Sequence, residues 1–85
     1  DLLKSAMDAF QIPQDTAARY SSLQIFGNHQ VKLENYTRMI DYSPNRLLLQ
    51  CKTCQIEICG KELQILRYSS QELLLDGVIQ KVMFL

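Results

Sequence analysis

Apolar positions follow two different periods along the chain. In "DLLKSAMDAF", Leu3, Met7 and Phe10 fall at i, i+4 and i+7, with Leu2, Ala6 and Ala9 beside them. That is the spacing of one helical face. Asp1 suits an N-cap or first-turn position. Pro13 cannot continue a helix, and Ile12 before it is pushed towards extended geometry. The pattern predicts a short amphipathic helix over about residues 2 to 11. A helix of that length is marginal in water by itself. It must pack on the rest of the chain or on a partner, which makes Leu3, Met7 and Phe10 candidate partner-binding residues.

After Tyr20 the period becomes 2, the repeat of a half-buried strand. Leu23 and Ile25 alternate up to Gly27-Asn28, and Val31 and Leu33 follow. Tyr36, Ile40 and Tyr42 run to Ser43-Pro44-Asn45. Leu47 and Leu49, then Ile56 and Ile58, lead to a break at Gly60-Lys61. Leu63 and Ile65 precede Ser69-Ser70. Leu73 and Leu75 precede Asp76-Gly77, a strong two-residue hairpin signal. The closing stretch does not alternate cleanly, since Ile79 and Val82 are three apart, and a bulge there is expected. Turn signals every 8 to 12 residues or so belong to all-β sandwiches and barrels. The expected fold is mainly β: a small antiparallel β-sandwich or curled meander of about seven to eight short strands, behind the N-terminal helix. Residues 1–16 would be helix and linker, and residues 17–85 an all-β domain, within one domain overall.

Composition narrows the function classes. The chain has 85 residues, and its nine Lys+Arg balance nine Asp+Glu. Zero net charge leaves no electrostatic footprint for nucleic acid or an acidic membrane, and it eases self-association. No window reaches the 18 or so apolar residues of a membrane-spanning helix. No signal peptide is visible, and a first residue other than Met leads us to expect further residues upstream. Three cysteines form an odd set, which argues against a secreted disulfide framework and for a reducing cytoplasmic setting.

Those cysteines are the main candidate chemistry. "QCKTCQIEIC" places Cys51, Cys54 and Cys59 within ten residues. If Lys52-Thr53 is a two-residue turn, Cys51 faces Cys54, Leu49 faces Ile56, and Leu47 faces Ile58, all on one face. Opposed Cβ atoms lie about 4.5–5.5 Å apart, near but above disulfide geometry. Cys59 has the opposite parity and points to the other face. Lys and Thr are poor residues for a primed turn, so a longer loop with Cys54 in the tight position is the other geometry. A tetrahedral zinc site wants four ligands, and the single histidine, His29, is distant in sequence. Small apolar thiols filling space are therefore favoured over a redox-labile pair or a metal site. No Ser/His/Asp or Cys/His constellation and no phosphate loop is present. Tyr20, Tyr36, Tyr42 and Tyr68 read as core-edge or interface residues rather than a base-stacking surface, because no basic groove accompanies them. The residues favour a binding or structural role, without cofactor, small-molecule substrate or nucleic acid.

The order of landmarks resembles the YabP/YqfC family of sporulation proteins, nearest the YqfC type. The segments that carry it are "FQIPQD" at 10–15, "IFGNHQVKLENY" at 25–36, "IDYSPNRLLLQ" at 40–50, "IEICGKELQI" at 56–65 and "ELLLDGVIQKVMF" at 72–84. The resemblance spans about residues 10 to 85, and it lies in the order and spacing of these segments rather than in any one of them. It implies a non-catalytic role in endospore formation, in the mother-cell cytoplasm or peripheral at a spore membrane, beside a multispanning membrane-protein partner. No catalytic residue or cofactor comes with it. Such proteins usually carry glycine where this chain has Cys54, which favours the longer loop with a positive φ at that position. The readings from another class are a small thiol redox or metal-binding protein using Cys51 and Cys54, and a homo-oligomer built by pairing strand edges.

Overall fold

The computed structural model describes residues 20–85. They form six strands: β1 Ser22–Phe26, β2 Gln30–Glu34, β3 Arg38–Ser43, β4 Arg46–Gln50, β5 Gln55–Tyr68 and β6 Glu72–Phe84. All neighbours are antiparallel, in one open sheet of order β1-β2-β6-β5-β4-β3. The helix expected at residues 2 to 11 lies outside the described residues.

The strand count is lower than the seven to eight expected because two breaks in the pattern are bends, not turns. Gly60-Lys61 lies inside β5, which has 14 residues, and Asp76-Gly77 lies inside β6, which has 13. In register, Cys59 faces Lys81 and Gly60 faces Ile79, so Gln80 is an extra residue. That is the bulge the uneven spacing of Ile79 and Val82 announced. Further shifts between Lys61 and Gln64 and between Ile65 and Arg67 complete the corner. Bulges bend a strand and sharpen its twist. Glu62 (φ 52°) and Gly77 (φ 141°) take positive φ at the same corner. The turns at Gly27–His29, Pro44-Asn45 and Ser69–Gln71 stand where the sequence placed them.

The bend divides the sheet into two halves. The first half of β5 pairs with β4, and the first half of β6 pairs with β2. The chain must also pass from β2 to β3 through residues 35–37 alone. In a flat sheet those strands would be four spacings apart, about 19 Å. The link from Glu34 to Arg38 can reach at most about 14 Å. The sheet therefore has to curl over itself. Val31, Leu33, Leu73 and Leu75 of one half and Leu47, Leu49, Ile56 and Ile58 of the other are all at most 1% exposed and belong to one cluster. Each such side chain contributes about 1.5–3 kcal/mol when fully buried, and this burial requires both halves.

The short link is fastened to both sides. Asn35 takes the left-handed conformation (φ 64°), which Asn tolerates better than most residues. Its N–H donates to the Gln71 carbonyl at 2.9 Å, and the Thr37 N–H donates to Gln50 at 2.8 Å. Between them Tyr36 is buried. Its hydroxyl donates to the carbonyls of Ser69 and Glu72 in a shared bond, and its ring stacks on Tyr68 at a centroid distance of 6.1 Å. Burial pushes the Tyr36 phenol above its ordinary range. Tyr42 closes the corner from β3, its hydroxyl donating to the Leu63 carbonyl at 2.5 Å.

Candidate interaction surface

Strand parity governs where the cysteines fall. Leu47 pairs with Ile58, Leu49 with Ile56 and Gln50 with Gln55, and the Cys51 N–H donates to the Cys54 carbonyl at 2.9 Å. Cys51 thus stands opposite Cys54 across Lys52-Thr53. Outside glycine, only Asn35 and Glu62 among the described residues have positive φ. The longer loop suggested by glycine in relatives is therefore not adopted, because an ordinary residue at 54 makes a left-handed turn unfavourable there. Cys51 is buried, Cys54 half-buried against the same core, and all three thiols are free. Burial raises the Cys51 thiol above its ordinary range, and Ser21 in hydrogen-bond contact with it opposes that shift.

Cys59 lies on the outer face, opposite Arg46 on one side and Lys81 on the other. There Arg46 donates through Nε to Glu57 and reaches Asp41 at 3.4 Å. The hydrogen bond to Glu57 raises the guanidinium, and the same bond holds the Glu57 carboxyl below its ordinary range. Among the described residues no group of three or more His, Cys, Asp or Glu could hold a metal. His29 sits exposed at the β1–β2 turn, with Nδ1 3.3 Å from the Gly77 carbonyl oxygen. Leu3, Met7 and Phe10 lie outside the described residues.

The surface feature that strand reading missed is an edge in the middle of the strand order. β2 covers β6 only from Glu72 to Asp76, and the β1–β2 turn extends that cover to Gly77 and Ile79. Beyond Ile79 no described strand pairs with β6 on the side away from β5. Leu85 exchanges two backbone bonds with Gln55, at 2.8 and 3.1 Å. Antiparallel bonding alternates, so the N–H and C=O of Val82 and Phe84 point off the sheet. Met83, Phe84 and Leu85 are 36%, 65% and 57% exposed. The register from Lys81 to Phe84 is unbroken, whereas β3 has a bulge at Ile40 and the far half of β5 one at Leu66. Bulged edges resist strand addition, and an even, apolar edge invites it. One signal was legible: residues 72–84 contain no proline and end in "KVMF". The Asp76-Gly77 turn signal hid the length of the strand.

A model of the YabP family matches residues 17–85. The chain belongs to the YabP family. It is also 29% identical over 76 residues to the uncharacterised protein YqfC of Bacillus subtilis (strain 168), covering 89% of this chain and 82% of that one. Both findings bear out the resemblance seen in the landmarks. The YabP match takes in all six strands, so the corner glycines, the Tyr36 link and the β6 edge lie within the family domain. Among the described residues no helix is long and apolar enough to cross a membrane.

Proposed function

We propose that this YabP-family protein is a non-catalytic component of endospore formation. It binds a multispanning membrane protein by accepting an extended segment of that partner on the free edge of β6. It does so from the mother-cell side, peripheral to a spore membrane. Family membership supports the sporulation setting. The observation that carries the docking mode is the one-sided ladder of residues 81–84, with Met83, Phe84 and Leu85 exposed. Strand addition gains affinity from main-chain hydrogen bonds and specificity from alternate side chains. Leu3, Met7 and Phe10 supply a second contact in this reading.

The test is affinity capture from sporulating cells with solubilised membranes, using three chains: wild type, Phe84→Pro and a chain lacking residues 1–12. The Phe84 N–H points off the sheet, so proline there removes no ladder bond while blocking an added strand. Phe84→Pro is expected to lose the partner. Retention at wild-type yield would overturn the edge as docking site, and loss only on deleting residues 1–12 would move the contact there. Light scattering adds an independent check. A concentration-dependent dimer abolished by Phe84→Pro would mean that the edge pairs with a second copy instead.

A further inference from the structure

Cys51 and Cys54 are the last opposed pair of the β4–β5 hairpin, one step beyond the final ladder pair Gln50–Gln55. The bond from the Cys51 N–H to the Cys54 carbonyl makes them a hydrogen-bonded pair, whose Cα atoms stand about 5.5 Å apart. That separation is in the commonest range for disulfides. Both side chains lie on the core face, Cys51 within the core cluster and Cys54 packed against it. The Cβ separation of a hydrogen-bonded opposed pair exceeds that of a disulfide by about 1.5–2 Å. Closing that gap disturbs no ladder pair, because Gln50–Gln55 is the last one before the turn. Filling of the core accounts for the buried Cys51. It does not account for a second, half-buried thiol opposite the first.

The geometry points to a thiol–disulfide exchange site at Cys51 and Cys54 that takes low-molecular-weight disulfides. Cys54, half-buried, is the sulfur a reagent reaches first. Its thiolate attacks one sulfur of the small disulfide, forming a mixed disulfide and releasing one small thiolate. That thiolate takes the Cys51 proton, and Cys51 then attacks the Cys54 sulfur and expels the second small thiolate, which picks up the proton first lost by Cys54. Two protein thiols are oxidised, one small disulfide is reduced to two thiols, and the hairpin ends in a Cys51–Cys54 bond. Burial raises the Cys51 thiol, which lowers its thiolate fraction and makes the second attack the slower step. Cys59 faces away and takes no part.

The full chain is incubated with oxidised glutathione, quenched with acid, and followed by intact mass and by non-reducing peptide mapping. The expected product has residues 51 and 54 linked, and is lighter by two hydrogens where Cys59 stays free or heavier by one glutathionyl group less three hydrogens where Cys59 also carries glutathione. Cys51→Ser should halt with one glutathione on Cys54. In a glutathione redox buffer, the equilibrium for closing the disulfide should favour the folded chain over the urea-unfolded chain by at least about ten-fold, because folding pre-organises the pair. Three results would each overturn the site: a wild-type chain that stops at the mixed disulfide, a link that includes Cys59, or an equilibrium no better folded than unfolded.

Discussion

Replacing Gly60 by alanine would put a methyl carbon 2.0 Å from the Val78 carbonyl oxygen and 3.1 Å from Leu63 Cδ2. Real Cβ atoms essentially never lie within 3.0 Å of another heavy atom, so β5 and β6 must part by at least 1.0 Å at the corner. Both strands are held there. The Gly60 N–H donates to Asn45 at 3.0 Å, Gly77 to His29 at 3.0 Å and Ile79 to Asn28 at 2.7 Å. Losing two such bonds removes about 2 kcal/mol, and overpacking strain adds about 1–3 kcal/mol. The sum, about 3–5 kcal/mol, is a large share of the roughly 4–13 kcal/mol expected for a chain this size. With a urea slope near 1 kcal/mol/M, the unfolding midpoint should fall by about 3–5 M. Gly77→Ala should come next, since its Cβ meets Glu62 O at 2.7 Å and φ is 141°. Gly27→Ala is the control. It shares a positive φ (58°) but meets nothing within 4 Å, so only about 1–2 kcal/mol of backbone strain is expected. Urea unfolding followed by circular dichroism measures all three. If Gly60→Ala unfolds within 1 M or so of wild type, or Gly27→Ala is as damaging, the close strand approach at the corner is refuted.

Tyr36→Phe removes the hydroxyl that serves Ser69 and Glu72, and should cost about 1–2 kcal/mol in the same assay. Because the Tyr36 pKa is raised on folding, wild-type stability should hold below the ordinary phenol range and fall as pH rises through the folded value. Tyr36→Phe should weaken that alkaline slope, and an unchanged slope would remove Tyr36 as its source. On the acid side Glu57 is depressed by Arg46, so its contribution is present above the ordinary carboxyl pKa and is lost as pH falls through the folded one. Glu57→Gln should shrink the loss seen between wild-type midpoints at neutral and acid pH, and an identical pH profile would show the pair to be neutral. Phe84→Pro should keep its urea midpoint within about 1 M of wild type. A larger drop would mean that residue 84 belongs to the ladder rather than to the free edge.

The sequence was most legible where local chemistry and tertiary role agree. The pairing of Leu47 with Ile58 and of Leu49 with Ile56 followed once Lys52-Thr53 was read as a two-residue turn, and the outward turn of Cys59 followed from parity. It misled where glycine serves a bend. Asp76-Gly77 has the chemistry of a tight turn, and Gly60-Lys61 interrupts an apolar run. A glycine chosen to let another strand approach leaves the same local signature as one chosen for a hairpin. The difference lies in Val78 O facing Gly60 and Glu62 O facing Gly77, contacts between distant parts of the chain. The glycine that the resemblance implied at position 54 misled in the same way, by suggesting a left-handed residue where this chain has no positive φ. Edges were illegible for a related reason, since an unpaired strand is defined by which neighbour stops short.

The corner glycines and the free edge are thus one feature seen at two places. A straight β6 of 13 residues would need a neighbour of similar length on each side. The bend turns its second half away from β2, and β2 is only five residues long. Once Gly77 and the bulge at Gln80 redirect the strand, residues 81–84 keep β5 on one side and nothing described on the other. The same corner frees the far half of β5. There, however, the Leu66 bulge breaks the register, and Arg67 pairs with Glu72 at 3.3 Å. Lys81 is the single charge between Val78 and Leu85, so the β6 edge lacks the charge and irregularity that usually block strand addition. A fold that needed only to bury its core could end β6 near Val82, the last residue of the strand packed against the core cluster. The exposed Met83, Phe84 and Leu85 extend the ladder past that point, and in the proposed function what they add is surface for a partner strand.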